Sequence, residues 1–134
     1  GSVMAVEVEL QKALYLALTA EGLTVYDKAP QAADAGATTN WPYVEVGFIS
    51  IVPFDTAREL GHDAIARIHT RSRSSSMMEC KTLQGEIYDR LHRGALSVTG
   101  FSTITMQRET TRCDVMPDDS IHGVCEYRVL LETT

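Results

Sequence analysis

No window of the chain approaches the roughly 18 consecutive apolar residues that a membrane-spanning helix needs. Nor does a basic segment followed by an apolar run open it. The expectation is a soluble, unsecreted protein. C-x-x-C pairs are also missing: Cys80, Cys113 and Cys125 stand apart and odd in number, a usage that suits a reducing compartment better than a disulfide framework. Positive charge is scarce, with 12 Lys and Arg against 18 Asp and Glu and a formal charge of −6. Such a balance repels phosphate backbones at long range and confines any nucleic-acid contact to a local patch. Neither GHDAIAR nor RGALSVTG has the glycine spacing of a P-loop or a dinucleotide-binding turn, so no cofactor is expected. Beyond a short serine run there is no low-complexity segment, and no linker or repeat divides the 134 residues. One domain with enough core to stand without metal or disulfide is the expected organisation. Gly1 and Ser2 read as an expression remnant with Val3 at its edge and Met4 as the native start, which puts the domain at residues 4–134.

What is present is hydrophobic periodicity. Leu10, Ala13, Leu14, Ala17 and Leu18 recur at helical steps between Glu7 and Ala20, and Gly22 supplies a stop. A short strand over Leu23–Tyr26 leads into a long loop from Asp27 to Asn40, a candidate contact surface. Tyr43–Val52 reads as a strand with Val44, Val46 and Phe48 on one face and Tyr43, Glu45, Gly47, Ile49 and Ile51 on the other. Its apolar second half suggests cover on both sides, or an outer face that meets another subunit. After a turn around Pro53 to Gly61, alternation resumes from His62 to Arg71, with Ala64, Ala66 and Ile68 inward and Arg67, His69 and Arg71 outward. Ser76-x-x-Glu79 is a capping box opening a helix whose buried stripe is Cys80, Leu83, Ile87 and Leu91, with Met77 and Tyr88 at its edges and Gly94 at its end.

Two long strands then flank the turn PDDS. The second alternates cleanly through Ile121, Cys125, Tyr127, Val129 and Leu131, whereas the first is polar on both faces through QRETTR. Arms of about a dozen residues exceed the usual strand of a small domain, so the hairpin tip is expected to protrude and to need a partner. The order α-β-β-β-α-β-β predicts an α+β fold: a single two-layer domain with an antiparallel or mixed β-sheet of about five strands, two helices packed on one face and a long C-terminal β-hairpin.

Four histidines and three cysteines show none of the close spacing of a structural zinc site. No catalytic residue and no metal are expected. Cys80 and His92 lie about 18 Å apart along one helix, too far for a base to serve a nucleophile. Cys113 and Cys125 are nearly equidistant from the hairpin turn and could face each other, most simply as two reduced thiols. Glu86, Asp89, Asp118 and Asp119 form no desolvated acid–base pair. Arg67, His69, Arg71 and Arg73 make the best basic stripe, with no acid among them; it reads as solvated strand charge, as a subunit contact or as a phosphate contact.

Taken together, the leading helix, KAP before a loop, WPYVEVG, ARIHTRSRS feeding ECKTLQGEIYDRLH, and the closing DSIHGVCEYRVLLE resemble the tail completion, or tail terminator, proteins of long-tailed phages and prophages. The resemblance spans nearly the whole chain. It implies a structural protein without enzymatic activity, located in the virion at the head–tail interface after assembly in the bacterial cytoplasm. It further implies a ring of identical subunits, such as a hexamer, with the tail tube protein and a head-completion or connector protein as partners. The arginine stripe Arg67, His69, Arg71 and Arg73 and the hairpin residues Gln107, Arg108 and Arg112 then become candidate interface positions, as does the Asp27–Asn40 loop. DNA would pass through such a ring without specific binding, and an acidic wall suits that passage. The alternatives are another connector or tail assembly component, a small nucleic-acid-binding module using the Arg67–Arg73 strand, and a cytosolic enzyme using Cys113 or Cys125.

Overall fold

A computed structural model describes residues 3–26, 41–55, 60–93 and 96–133. Helix α1 runs from Val3–Ala20, and Val6, Leu10, Ala13, Leu14, Ala17 and Leu18 form its buried stripe. The helix closes with Glu21 and Gly22 donating back to the carbonyls of Leu18 and Thr19, and Gly22 takes the left-handed conformation (φ 84°) that favours glycine. Strand β1 is Val25–Tyr26, β2 Tyr43–Asp55 and β3 Leu60–Ser72. Helix α2, Met78–Arg93, separates them from β4, Phe101–Val115, and β5, Ile121–Thr133. The Asp27–Asn40 loop and Gly94 lie outside the described residues.

The five strands form one open mixed sheet in the order β1-β2-β3-β5-β4, parallel between β1 and β2 and antiparallel elsewhere. Both helices pack on one face, α1 against β1 and β2 and α2 against β3, β5 and β4. The α+β fold, its element order and its two layers are therefore as the hydrophobic periodicity predicts. Between the layers lies a core that includes Val44, Val46, Ala64, Ala66, Ile68, Ile87, Leu91, Tyr127, Val129 and Leu131.

Three expectations change. The hairpin tip does not protrude: β5 is central, paired with β3 from Gly61↔Glu132 to Ser72↔Ile121, so only the Met116–Ser120 turn extends past the ladder. The exposed element is β4, an edge strand with polar side chains on both sides. In the turn, Asp118 accepts from the Ser120 amide and hydroxyl, and Asp119 takes φ 69°, the local role aspartate plays in turns.

The face assignment of β2 fails after Val46. There the register passes from Val46↔Ile68 to Ile49↔Ala66, so one extra residue is inserted and the parity reverses. Ile49 and Ile51 turn to the core, and Phe48 turns out to 60% exposure. The strands also outrun the expected turn, since pairing continues to Asp55↔Leu60.

The capping box is half formed. Ser76 Oγ accepts from the Met78 amide, but the Glu79 carboxylate accepts from Ser72 Oγ at 2.6 Å instead of reaching back to Ser76. A serine ladder results, with Ser74 N donating to Ser72 Oγ and Ser76 N to Ser74 Oγ, and it fixes how β3 hands over to α2.

Candidate interaction surface

Strand side chains alternate, and with both helices on one side no layer among the described residues covers the opposite face of the sheet. Arg67, His69 and Arg71 project there from β3, as their alternation predicts. The acid absent from among them comes from the neighbouring strand: Arg67 Nη2 binds Glu126 Oε1 of β5 at 3.1 Å, and Arg67 Cζ lies 5.7 Å from the Phe48 ring centroid. Arg128 of β5 grips Asp63 of β3 with two bonds of 3.0 and 2.6 Å, and that grip holds the Asp63 carboxyl below its ordinary value. Both pairs are largely open to water and contribute little to stability. Their effect is to set the position of each guanidinium on the sheet. Arg73 lies past the end of β3 and stacks on Trp41, 4.3 Å from the ring centroid.

Hairpin positions divide unexpectedly. Gln107 and Arg112 lie on the uncovered face, where Arg112 pairs with Asp114 at 3.2 Å. Arg108, of the same parity as Arg112, lies on the helix side, its guanidinium carbon 4.4 Å from the Tyr88 ring centroid. The register shift between Arg108↔Tyr127 and Thr110↔Glu126 accounts for this, because the extra residue reverses parity between Arg108 and Arg112. Arg67, His69, Thr110, Arg112, Val124 and Glu126 line a shallow cleft of about 460 Å³ on that face. Two apolar contributions reach the protein surface, one anticipated from the apolar second half of β2 and one that sequence reasoning missed. Phe48 and Val52 are each 60% exposed on β2, and Val8, Tyr15 and Leu16 line a hollow of about 390 Å³ on the outer side of α1. The second was legible, since Val8 and Leu16 fall off the helix's buried stripe.

His69 and His122 meet on the same face, Nδ1 to Nε2 at 2.8 Å with rings stacked at 5.0 Å. One nitrogen must donate and the other accept, so the neutral pair shares one proton in its contact. Burial holds both below the ordinary histidine value of 6.5; Arg71 and Arg67 push His69 further down against Glu45, while Arg71, His69 and Arg112 push His122 down against Asp114. In the unfolded chain both rings take up protons near 6.5, so just below that pH the unfolded state binds more protons than the folded one. The contribution is full above that value and lost as pH falls through the lower folded values. Melting temperature is therefore expected to drop between about pH 7.5 and pH 5, and to drop less in His122→Gln. Equal slopes in the two proteins would remove the histidine pair as the cause.

Cys113 and Cys125 do not face each other. The ladder sets Cys113 opposite Gly123 and Cys125 opposite Thr111, because the turn places a residue's partner two positions from where simple symmetry would. Among the described residues, no group of three or more His, Cys, Asp or Glu could hold a metal ion, and no helix is long and apolar enough to cross a membrane.

Comparison with known proteins agrees with this architecture. A search of curated proteins finds no match. Nineteen solved chains match the fold. One is from the virion of a native gene transfer agent particle, with a TM-score of 0.77 and 19% identity, covering 95% of this chain and 97% of that one. The profile of the family described as tail completion protein gp17 matches residues 10–132. With nearly its whole length so matched, the chain belongs to the tail completion protein gp17 family and is a structural protein of the phage-like virion tail.

Proposed function

We propose that the protein closes the end of the tail tube and presents the surface that receives the head, acting by binding alone and without catalysis. In this reading it works as a ring of identical subunits, six in number, held between the tail tube protein and a head-completion or connector protein. DNA passes through the ring without being specifically bound, in keeping with the net charge of −6. The domain responsible runs over residues 4–134. The single observation that carries the reading is the family match over residues 10–132.

The uncovered sheet face is the contact surface we favour. It offers positioned arginines beside exposed Phe48 and Val52, and the enclosed Arg67 Nε has no acceptor among the described residues. Arg67, His69, Arg71, Gln107 and Arg112 are the interface positions on this face, and Arg73 extends it at the rim. Arg108, stacked on Tyr88, serves the helix layer instead.

Light scattering over a wide concentration range, followed by negative-stain imaging, is expected to find a closed ring, either of the free chain or on isolated tails. Arg67→Glu combined with Arg71→Glu should reduce ring formation or tail binding at least tenfold, since placing like charges across an interface costs several kcal/mol. A chain that stays monomeric and binds no tail would sink the proposal. Wild-type assembly by the double variant would move the contact to another face.

A further inference from the structure

Folding brings together two thiols that are distant in the chain. Cys80 is fully buried in the first turn of α2, and Cys113 is half-buried on the edge strand β4. Their sulfurs lie 3.1 Å apart across 33 residues of sequence. A disulfide bond spans about 2.05 Å, so closing the gap takes about 1 Å of sulfur movement. The surroundings aim both groups: Cys80 Sγ is 3.0 Å from Thr70 Oγ1, and Cys113 Sγ is 3.1 Å from Gln84 Oε1. Cys125 is engaged elsewhere, 3.4 Å from Thr111 Oγ1.

We infer that Cys80 and Cys113 are a cross-linking site, reduced while the protein folds and assembles, and oxidised to an intramolecular disulfide once the chain meets an oxidising medium. The timing rests on the tail-protein reading: thiols are kept reduced in the cytoplasm where tails assemble and oxidise outside it. The bond ties the helix layer to β4, which has a strand neighbour on one side only among the described residues.

The oxidant is a low-molecular-weight disulfide such as oxidised glutathione. Cys113, the more exposed thiol, attacks as its thiolate and breaks the oxidant's S–S bond, releasing one reduced thiol and leaving a mixed disulfide. Cys80 then attacks the Cys113 sulfur and expels the second reduced thiol. Two cysteine thiols are oxidised, one disulfide is reduced, and the two protons end on the released thiols. Burial and the neighbouring Cys80 push the Cys113 thiol up to about 12. The thiolate is therefore scarce at neutral pH, and the rate should climb about tenfold per pH unit.

The test treats the folded chain with oxidised glutathione. The free-thiol count is expected to fall from three to one, peptide mapping to join Cys80 to Cys113, and the melting temperature to rise by roughly 5–15 °C until dithiothreitol reverses it. Cys125→Ser should cross-link like the wild type, whereas Cys113→Ser, with its circular dichroism unchanged, should not. Three persistent thiols, a bridge to Cys125, or a stable glutathione adduct on Cys113 would overturn the site. A second arm alkylates free thiols as particles are released and again after purification. Separate samples are denatured and alkylated at each point, and purified particles that contain the chain with both thiols still alkylated would overturn the timing. Particles that lack the chain would count against the tail reading, and the cross-link is then judged on the first arm alone.

Discussion

Gly123→Ala is expected to destabilise the protein by about 1–3 kcal/mol, the usual cost of adding a methyl group to a filled core. A Cβ at this position would fall on Thr70 Oγ1 and within 2.6 Å of both Cys80 Sγ and Gln84 Nε2. None of the three can easily retreat. Thr70 and Cys80 are fully buried and bonded to each other, and Gln84 donates to the Arg112 carbonyl at 2.8 Å while touching Cys113. Gly123 thus lets α2 approach β5 closely enough for this polar cluster to form. Gly85 provides the control. It lies exposed in the middle of α2 with nothing within 4 Å of its Cβ position, so Gly85→Ala should stabilise by about 0.5–1 kcal/mol through helix propensity alone. The same substitution on two neighbouring elements should therefore shift the melting temperature in opposite directions, by roughly 4 °C per kcal/mol. If both variants melted like the wild type, α2 would not be seated on β5 as described.

Ile68→Ala should cost about 2–5 kcal/mol, whereas Arg67→Ala, one residue away, should cost no more than about 1 kcal/mol. Ile68 is fully buried at the centre of β3, level with Val46 on one side and Cys125 on the other, so truncation leaves a cavity among residues held by two ladders. Arg67 points the other way, and its contact with Glu126 is between side chains 42% and 30% exposed. Urea unfolding of the two variants reads this difference directly. Comparable losses would mean that the outer face of the sheet is covered in the free protein. The same pair separates stability from assembly. Arg67 variants should fold normally and fail in ring or tail contacts, while Ile68 variants should lose both together.

The elements of this protein were legible because burial imposes a period on the chain. Spacings of three and four residues in α1 and α2, and of two in β3 and β5, follow from helices and strands that each bury one face. The arginine stripe on β3 was readable for the same reason: once Ala64, Ala66 and Ile68 are inward, Arg67, His69 and Arg71 have to be outward. Counting by twos failed at Phe48. It lies where a single extra residue is inserted, and a bulge is decided by how two strands fit together, not by either strand alone. The apparent protrusion of the hairpin was a related error. Strand length showed in the sequence, but the place of β5 between β3 and β4 depends on pairing across dozens of residues.

Charge and thiol contacts belong to that second class as well. Composition shows an acidic chain and a local basic stripe, yet it could not show that Glu126 and Asp63 would position the arginines from adjacent strands, or that His69 would meet His122. Cys80 and Cys113 are unremarkable in sequence, one on a helical stripe and one in a polar strand. Their contact exists because α2 crosses the sheet just where Gly123 leaves room, a coincidence of three elements that no local pattern records. Local periodicity answers to short-range sterics and burial, which each segment carries within itself. Register, edge position and side-chain encounters depend on the packed whole.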